Sequence, residues 1–273
     1  MFNNNRKGRG TKEWAEQGRN IGSGCSNDCI YCYARFNACV RWRTKPPEKW
    51  TEESIVDSWL EKEQPKINGV IMFPTQHDIT PHYLDASLYL IKRILDAGNN
   101  ILIVSKPQME CIVNVVKVLL EYPPEQSMVR FSIGSLDPEI MKFWERGAST
   151  PRERIECLEH AHRHGINTSV SAEPLLPTSE SYAETGRRLY DALLPHISND
   201  IWFGRLNHPT QRIIDKDKYA DEIKRLQNFQ SMYACLEFYD TAKHLPKIKW
   251  KDSITNLVKK RQGLAESGGG NDK

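Results

Sequence analysis

The chain has 273 residues, 39% of them hydrophobic and 27% charged, with 38 Lys/Arg against 35 Asp/Glu and a formal net charge of +3. That length suits one α/β barrel-type domain, and so small a net charge excludes a nucleic-acid binder driven by bulk positive charge. No apolar run approaches the ~20 residues of a membrane span, and Met1-Phe2-Asn3-Asn4-Asn5-Arg6-Lys7 lacks the apolar stretch of a secretory leader, so a cytoplasmic protein without a membrane partner is expected.

Residues 1–20 are polar, carry Gly8, Gly10 and Gly18, and read as a basic arm. A short extended segment, Asn20 to Gly24, leads into three closely spaced cysteines. From there strand and helix signals alternate. Val70-Ile71-Met72-Phe73, stopped by Pro74, is a buried strand, and Leu84 to Ala97 has helical spacing ended by Gly98. Ile101 to Val104 is the next strand, Cys111 to Leu120 an apolar helix closed by Pro123-Pro124, and Val129 to Ile133 a further strand. Residues 138–146 read as a short helix, and Pro151 starts a longer one that turns Ile155, Leu158 and Ala161 inward and stops at Gly165. Asn167 to Ala172 and Ile201 to Phe203 are strands around a helix over Tyr182 to Leu194. Residues 217–240 and 251–262 read as helical, and Gly268-Gly269-Gly270 as a disordered tail.

This alternation predicts βα units on a parallel sheet, about six of them, fewer than the eight of a closed barrel. Periodicity alone does not separate an open doubly wound sheet from a partial barrel. The expected organisation is an arm over 1–20, a core over 21–240, and a C-terminal helical extension with its tail over 241–273.

Charge is unevenly placed. Residues 1–45 hold nine Lys/Arg and three Asp/Glu, a balance of +6, and the remainder balances to −3. A second basic stretch runs through Lys243, Lys247, Lys249, Lys251, Lys259, Lys260 and Arg261. Either attracts phosphates or is simply a solvated face.

The chemistry sits in Cys25-Ser26-Asn27-Asp28-Cys29-Ile30-Tyr31-Cys32, with the spacing C-x3-C-x2-C. Thiolates this close wrap one metal centre, and clustered cysteines in a cytosolic chain point to metal or redox chemistry rather than to disulfides. Iron–sulfur clusters usually take four thiolates; three leave one iron open to a small-molecule ligand. Gly22 and Gly24 let the chain bend so that backbone N–H groups reach the sulfurs. The competing reading is structural zinc with Cys39 as fourth ligand. Cys39, Cys111, Cys157 and Cys235 otherwise read as small buried hydrophobes.

The spacing, with aromatic Tyr31 before the third cysteine, resembles the signature of the radical S-adenosylmethionine (SAM) superfamily. Lys7-Gly8-Arg9-Gly10, the run through Tyr33-Ala34-Arg35, Ser132-Ile133-Gly134-Ser135-Leu136-Asp137, and Glu145 to Leu158 look like its DNA-repair-photolyase-like family, whose relatives include spore photoproduct lyases. The likeness covers about residues 7–205. It implies a partial (βα)6 TIM-type barrel with a radical SAM core, and a [4Fe–4S] cluster on Cys25, Cys29 and Cys32 whose open iron takes the amino and carboxylate groups of SAM. It also implies an external one-electron reductant of the flavodoxin or ferredoxin type. Reductive cleavage of SAM then yields a 5′-deoxyadenosyl radical that abstracts hydrogen from a substrate, by family a nucleic-acid base, otherwise a peptide or small molecule. A partner-binding Fe–S or zinc protein without catalysis is the reading from another class. Carried over by position, Thr75 and Asp78 lie after the second strand, Lys106 meets the SAM carboxylate, Ser132 faces the ribose or methionine, and Ala172 offers backbone to the adenine.

Two departures stand out. Spore photoproduct lyases carry a hydrogen-donating cysteine near the end of the second strand; here Met72-Phe73-Pro74-Thr75-Gln76 has none, and Arg146 stands where the family often has proline. Glu173 reads as an adenosine or substrate contact or a surface carboxylate, and His77 and His82 as proton-transfer groups or solvated loop residues. His160, His162 and His164 cannot all share one helix face. Tyr31, Tyr33, Phe36 and Trp42 interleave with Arg35, Arg41 and Arg43, which suits base stacking and phosphate contact, or helix packing behind the cluster.

Overall fold

A computed structural model of the protein describes residues 10–268. Lys7, Gly8 and Arg9 of the basic arm, and the tail beyond Gly268, lie outside the described residues. The strands are β1 (Gln17–Gly18), β2 (Gly22–Ser23), β3 (Ser54–Ile55), β4 (Val70–Phe73), β5 (Asn100–Ser105), β6 (Ser127–Ser132), β7 (Asn167–Ala172), β8 (Ile201–Phe203) and β9 (Ile248–Trp250). Seven form one sheet in the order β1-β4-β5-β6-β7-β8-β9, every neighbour parallel. The helices are α1 (Tyr33–Phe36), α2 (Asp57–Leu60), α3 (Leu84–Asp96), α4 (Met109–Leu119), α5 (Pro138–Trp144), α6 (Pro151–Arg163), α7 (Tyr182–Leu193), α8 (Pro209–Arg212), α9 (Ala220–Phe229), α10 (Met232–Ala242) and α11 (Asp252–Gly268).

Side chains alternate across each strand, and this sorts them into two layers. Ile71, Phe73, Ile101, Ile103, Val129, Phe131, Val170 and Ile201 face outward and bury the apolar faces of the helices. Val70, Met72, Leu102, Val104, Met128 and Trp202 face inward, where Trp14 packs on them. The curved sheet is therefore a partial barrel of parallel strands. Its lower interior is filled by Arg130, fully buried between the Trp14 and Trp202 rings at 4.6 and 5.3 Å and paired to Asp200 at 2.9 Å. Asp200 also accepts from Ser169 Oγ and Trp202 Nε1.

The barrel differs from the expectation at both ends. The strand expected at Asn20 to Gly24 is displaced: β1 pairs with β4 at Gln17 and Gly18, while β2 turns away to pair antiparallel with β3. β9 adds a strand beside β8 from within the basic stretch. Two- and three-residue strands are too short to carry a period. The expected boundaries at 20 and 240 therefore cut through packed structure. Lys251, fully buried, sits 2.9 Å from Glu13 and 4.0 Å above the Trp14 ring, and its Nζ donates to Gly10 O. Gly10, Glu13 and Trp14 thus close the seam between β1 and β9. The helix expected over 217–240 is two, interrupted at Gln230 and restarted by the Ser231 cap, and the last helix extends to Gly268. Among the described residues no helix is long and apolar enough to cross a membrane.

Candidate functional site

The three cysteines lie between β2 and α1, at the C-terminal end of the sheet. Cys25 and Cys29 are buried and Cys32 nearly so. The loop is held from two sides. On the first, Asp78 after β4 accepts from Asn27 Nδ2 (2.8 Å), Ser105 Oγ (3.2 Å) and Lys106 N (2.8 Å), with Lys106 Nζ at 3.9 Å and Cys25 Sγ at 3.9 Å. One carboxylate thereby joins the cysteine loop to the ends of β4 and β5.

On the second side, the α5–α6 connection straps the loop. Ile30 N donates to Trp144 O at 2.9 Å, Gly147 N to Asn27 O at 3.0 Å, and Cys29 bridges Glu145 along the backbone. A Cβ on Gly147 would stand 2.0 Å from Ser26 O, so only glycine permits this approach. Beneath the strap Glu145 and Arg154, both almost wholly buried, pair at 2.5 Å, and Tyr31 OH donates to Glu145. Arg154 also donates to Ser132 O at 2.8 Å and Ser149 O at 3.0 Å. Asp28, at φ +42°, is held by Arg146 at 3.0 Å.

A cavity of about 660 Å³ opens over this loop and the strand ends, a size typical of ligand pockets. Cys25, Cys29 and Cys32 line it together with Thr75, Asp78, Lys106 and Ser132. Ala172 does not: its side chain is fully buried in the outer core and its carbonyl takes Gly204 N–H. Alternation turns its neighbours Ser171 and Glu173 to the cavity instead. The Ser132 hydroxyl has no protein partner among the described residues, whereas Thr75 is engaged, its Oγ1 and N–H both bonded to the Asn20 amide at 2.9 Å and its carbonyl taking Tyr33 OH.

Burial pushes all three thiols up, Cys25 further through Asp78, while Lys106 pulls Cys29 and Cys32 back. Burial would raise Asp78 too, but Lys106, Asn27 and Arg154 outweigh it and hold the carboxyl below its ordinary range. Burial opposes the Lys106 charge, yet Cys29, Asp78, Tyr31 and Glu145 keep it well above the usual value.

The residues present fit an anionic iron–sulfur cluster. Arg35 N donates to Cys32 Sγ at 3.4 Å, and Trp50 Nε1 and Arg35 Nε are buried donors with no acceptor among the described residues. Trp50 packs in the same small group as Cys25 and Cys32. Spare donors beside thiols suit sulfur that carries charge. A structural zinc would need a fourth closed ligand beside the three cysteines. Cys39 is buried behind the loop and does not line the cavity.

His77 is neither solvated nor free. It is buried, Nε2 accepts Ile21 N–H at 3.2 Å, and Nδ1 donates to Asp78 O at 2.9 Å, so it is a neutral brace. Burial lowers its pKa accordingly. His82 is exposed. His160 and His164, one turn apart, stack at 4.3 Å while His162 points elsewhere. Besides Cys25, Cys29 and Cys32, no cysteine among the described residues lines the cavity.

The family model of the radical SAM superfamily matches residues 20–187. An uncharacterized protein, ORF301 of Acidianus two-tailed virus, is 24% identical over 206 residues; the match covers 69% of this chain and 66% of that relative's length. A mutant spore photoproduct lyase with dinucleoside spore photoproduct is similar at a TM-score of 0.55 and 14% identity, over 92% of this chain and 78% of that one. SuiB of Streptococcus suis bound to precursor peptide SuiA is similar at a TM-score of 0.52 and 12% identity, over 89% and 50%. At these identities the likeness to solved structures is one of fold, a partial TIM-type barrel.

Proposed function

The chain belongs to the radical SAM superfamily, an enzyme family working with a [4Fe–4S] cluster, SAM and an external reductant, and from that premise we propose that Cys25, Cys29 and Cys32 hold the cluster and that the substrate is a nucleic-acid base. When bound, the cluster and SAM supply reductive cleavage of the sulfonium and a hydrogen-abstracting radical. The chain's own residues orient and enclose. Lys106, charged and lining the cavity, binds the SAM carboxylate, and the unpartnered Ser132 hydroxyl meets the ribose or methionine. Ser171 and Glu173 take the adenine-side place expected of Ala172. Thr75 and Asp78, their polar groups engaged within the protein, set the shape of the pocket and the position of the cysteine loop.

Lys106→Ala removes a charge-assisted contact of roughly 1.5–3 kcal/mol, so SAM should bind about ten- to a hundredfold more weakly in equilibrium dialysis of the reconstituted protein. Affinity equal to wild type would remove Lys106 from the SAM site.

The substrate reading is carried by Arg41-Trp42-Arg43, all exposed, on the segment that follows the cysteine loop. An aromatic face between guanidinium groups suits a base between phosphates. The cluster lies at the cavity, so a duplex would have to flip or melt the reacting base, at a few kcal/mol; single strands should bind better. The test is anaerobic binding of single- and double-stranded oligonucleotides at two salt concentrations, by wild type and an Arg9/Arg41/Arg43→Ala variant. Affinity should fall steeply with salt, with a slope of about −0.7 to −0.9 per phosphate neutralised, and the variant should lose part of that slope. Equal, salt-insensitive binding by both proteins, or none by either, moves the substrate to a peptide or small molecule.

A further inference from the structure

The cations of the cavity divide into two kinds. Lys106 is matched to Asp78, and Lys251 lies between Glu13 at 2.9 Å and Glu173 at 3.4 Å. Arg205 and Arg212 also line the cavity and are part-buried, but neither guanidinium has a carboxylate within ion-pair distance or a hydrogen-bond acceptor among the described residues. Asp252 is the remaining carboxylate of the lining and pairs with neither.

Arg205 lies in the loop that follows β8 and Arg212 ends the short helix α8 that the loop leads into, and this segment is built to stay in place. Gly204 N donates to Ala172 O at 3.1 Å, and a Cβ there would meet Lys251 at 2.8 Å. Arg205 N donates to Ser253 Oγ at 3.1 Å. Fully buried Gln230 clamps Leu206 from both sides, accepting its N–H at 2.8 Å and donating to its carbonyl at 2.9 Å. Leu206, Pro209 and Ile213 are buried anchors, and His208 is held at φ +55°, an uncommon backbone for a non-glycine residue. The buried positions fix the chain while Arg205 and Arg212 are left uncompensated at the cavity. Partly desolvated guanidinium groups without a counter-charge are costly unless a ligand completes them, and their forked donors match phosphate oxygens.

We propose that Arg205 and Arg212 form a substrate-phosphate site at the cavity, which holds a phosphodiester flanking the reacting nucleoside. The inference rests on the nucleic-acid reading above. In the reading proposed above SAM places its single carboxylate on Lys106, which leaves the two arginines to a second anion. The loop acts as a specificity element: it sets which nucleoside, counted from a bound phosphate, lies over the cysteine loop.

The test uses the full-length reconstituted protein with SAM bound, and two probes, inorganic phosphate and a short single-stranded oligonucleotide. Phosphate should displace the oligonucleotide from wild type. Arg205→Gln and Arg212→Gln should each weaken the oligonucleotide about tenfold and lower the salt slope by roughly 0.7, and should abolish displacement by phosphate. Lys117→Gln, a charge removal on the exposed face of α4, should change neither. Phosphate competition that depends on the two arginines, without oligonucleotide binding above that of free phosphate, supports the anion site while ending the nucleic-acid reading. Oligonucleotide binding that ignores both substitutions overturns the site while leaving that reading in place. Loss of SAM affinity in either variant with phosphate competition intact assigns the arginines to SAM and overturns the proposal. Wild type that takes up neither probe overturns it outright, and this arm needs no variant to fold.

Discussion

Alanine at Cys25, Cys29 or Cys32 should each abolish the brown absorbance of anaerobically reconstituted protein and, with it, dithionite-driven cleavage of SAM. A methyl group cannot replace a thiolate ligand, and no spare cysteine lines the cavity among the described residues. The apoprotein should survive the change, because each substitution removes one sulfur from the wall of an open cavity and leaves the Asp78 and Glu145 tethers in place. Loss of colour with the fold retained, at most modestly destabilised through the lost Cys25–Asp78 contact or the Cys32 cap of α1, is therefore the expected signature. Cys39→Ala is the informative control. Its thiol is buried behind the loop and pushed up by burial, and colour and SAM cleavage should persist without it. If Cys39→Ala bleached the protein as fully as the other three, the centre would be a four-thiolate site with no open iron, and the assignment of three cysteines would fall. Cys111, Cys157 and Cys235 lie fully buried in the outer core, so alanine there should cost stability and spare the colour.

Long, strongly patterned elements were legible from the sequence because burial dictates their period. β7 and β8 lie where the pattern put them, and α3, α4 and α7 within two residues of it. The cysteine spacing likewise announced the site, since its chemistry is local in sequence. The seam was hidden, for a physical reason: β1 and β9 are only two and three residues long, and the Glu13–Lys251 pair that closes it joins residues more than 230 apart. Lys251 belongs to a basic stretch that the sequence leaves open between a phosphate-attracting and a solvated face, and it is neither: it is fully buried beneath two tryptophans. Ala172 was misplaced by one residue of alternation, which in a strand is the difference between core and cavity. The two arginines without a partner among the described residues were equally hidden. An arginine is unpaired only relative to carboxylates brought near it in space, and Arg205 and Arg212 sit in a stretch with no recognisable motif.

Arg154→Met should destabilise the fold far more than alanine at any of the three cavity cysteines. Arg154 is fully buried, and its guanidinium meets Glu145 at 2.5 Å, Ser132 O at 2.8 Å and Ser149 O at 3.0 Å. Removing it leaves the Glu145 carboxylate buried with only the Tyr31 hydroxyl, and strips two backbone carbonyls of their donor. Breaking one partner of a buried pair costs about 3–5 kcal/mol, which in a chain of this size lowers the unfolding midpoint by roughly 6–20 °C. Glu145→Gln should cost less, since the amide still accepts from Arg154. The double variant Glu145→Gln/Arg154→Met should recover part of the loss, because no buried charge then stands alone, and the coupling measured around that cycle isolates the pair. The effect should also reach the site. Glu145 is the residue whose backbone bridges Cys29 and whose carboxylate receives Tyr31, so iron content after reconstitution should fall in Arg154→Met even well below its unfolding midpoint. Thermal unfolding and iron analysis of the three variants measure both effects. An Arg154→Met protein within about 1 kcal/mol of wild type, or one that unfolds early yet loads iron fully, would separate the buried pair from the cysteine loop it underlies.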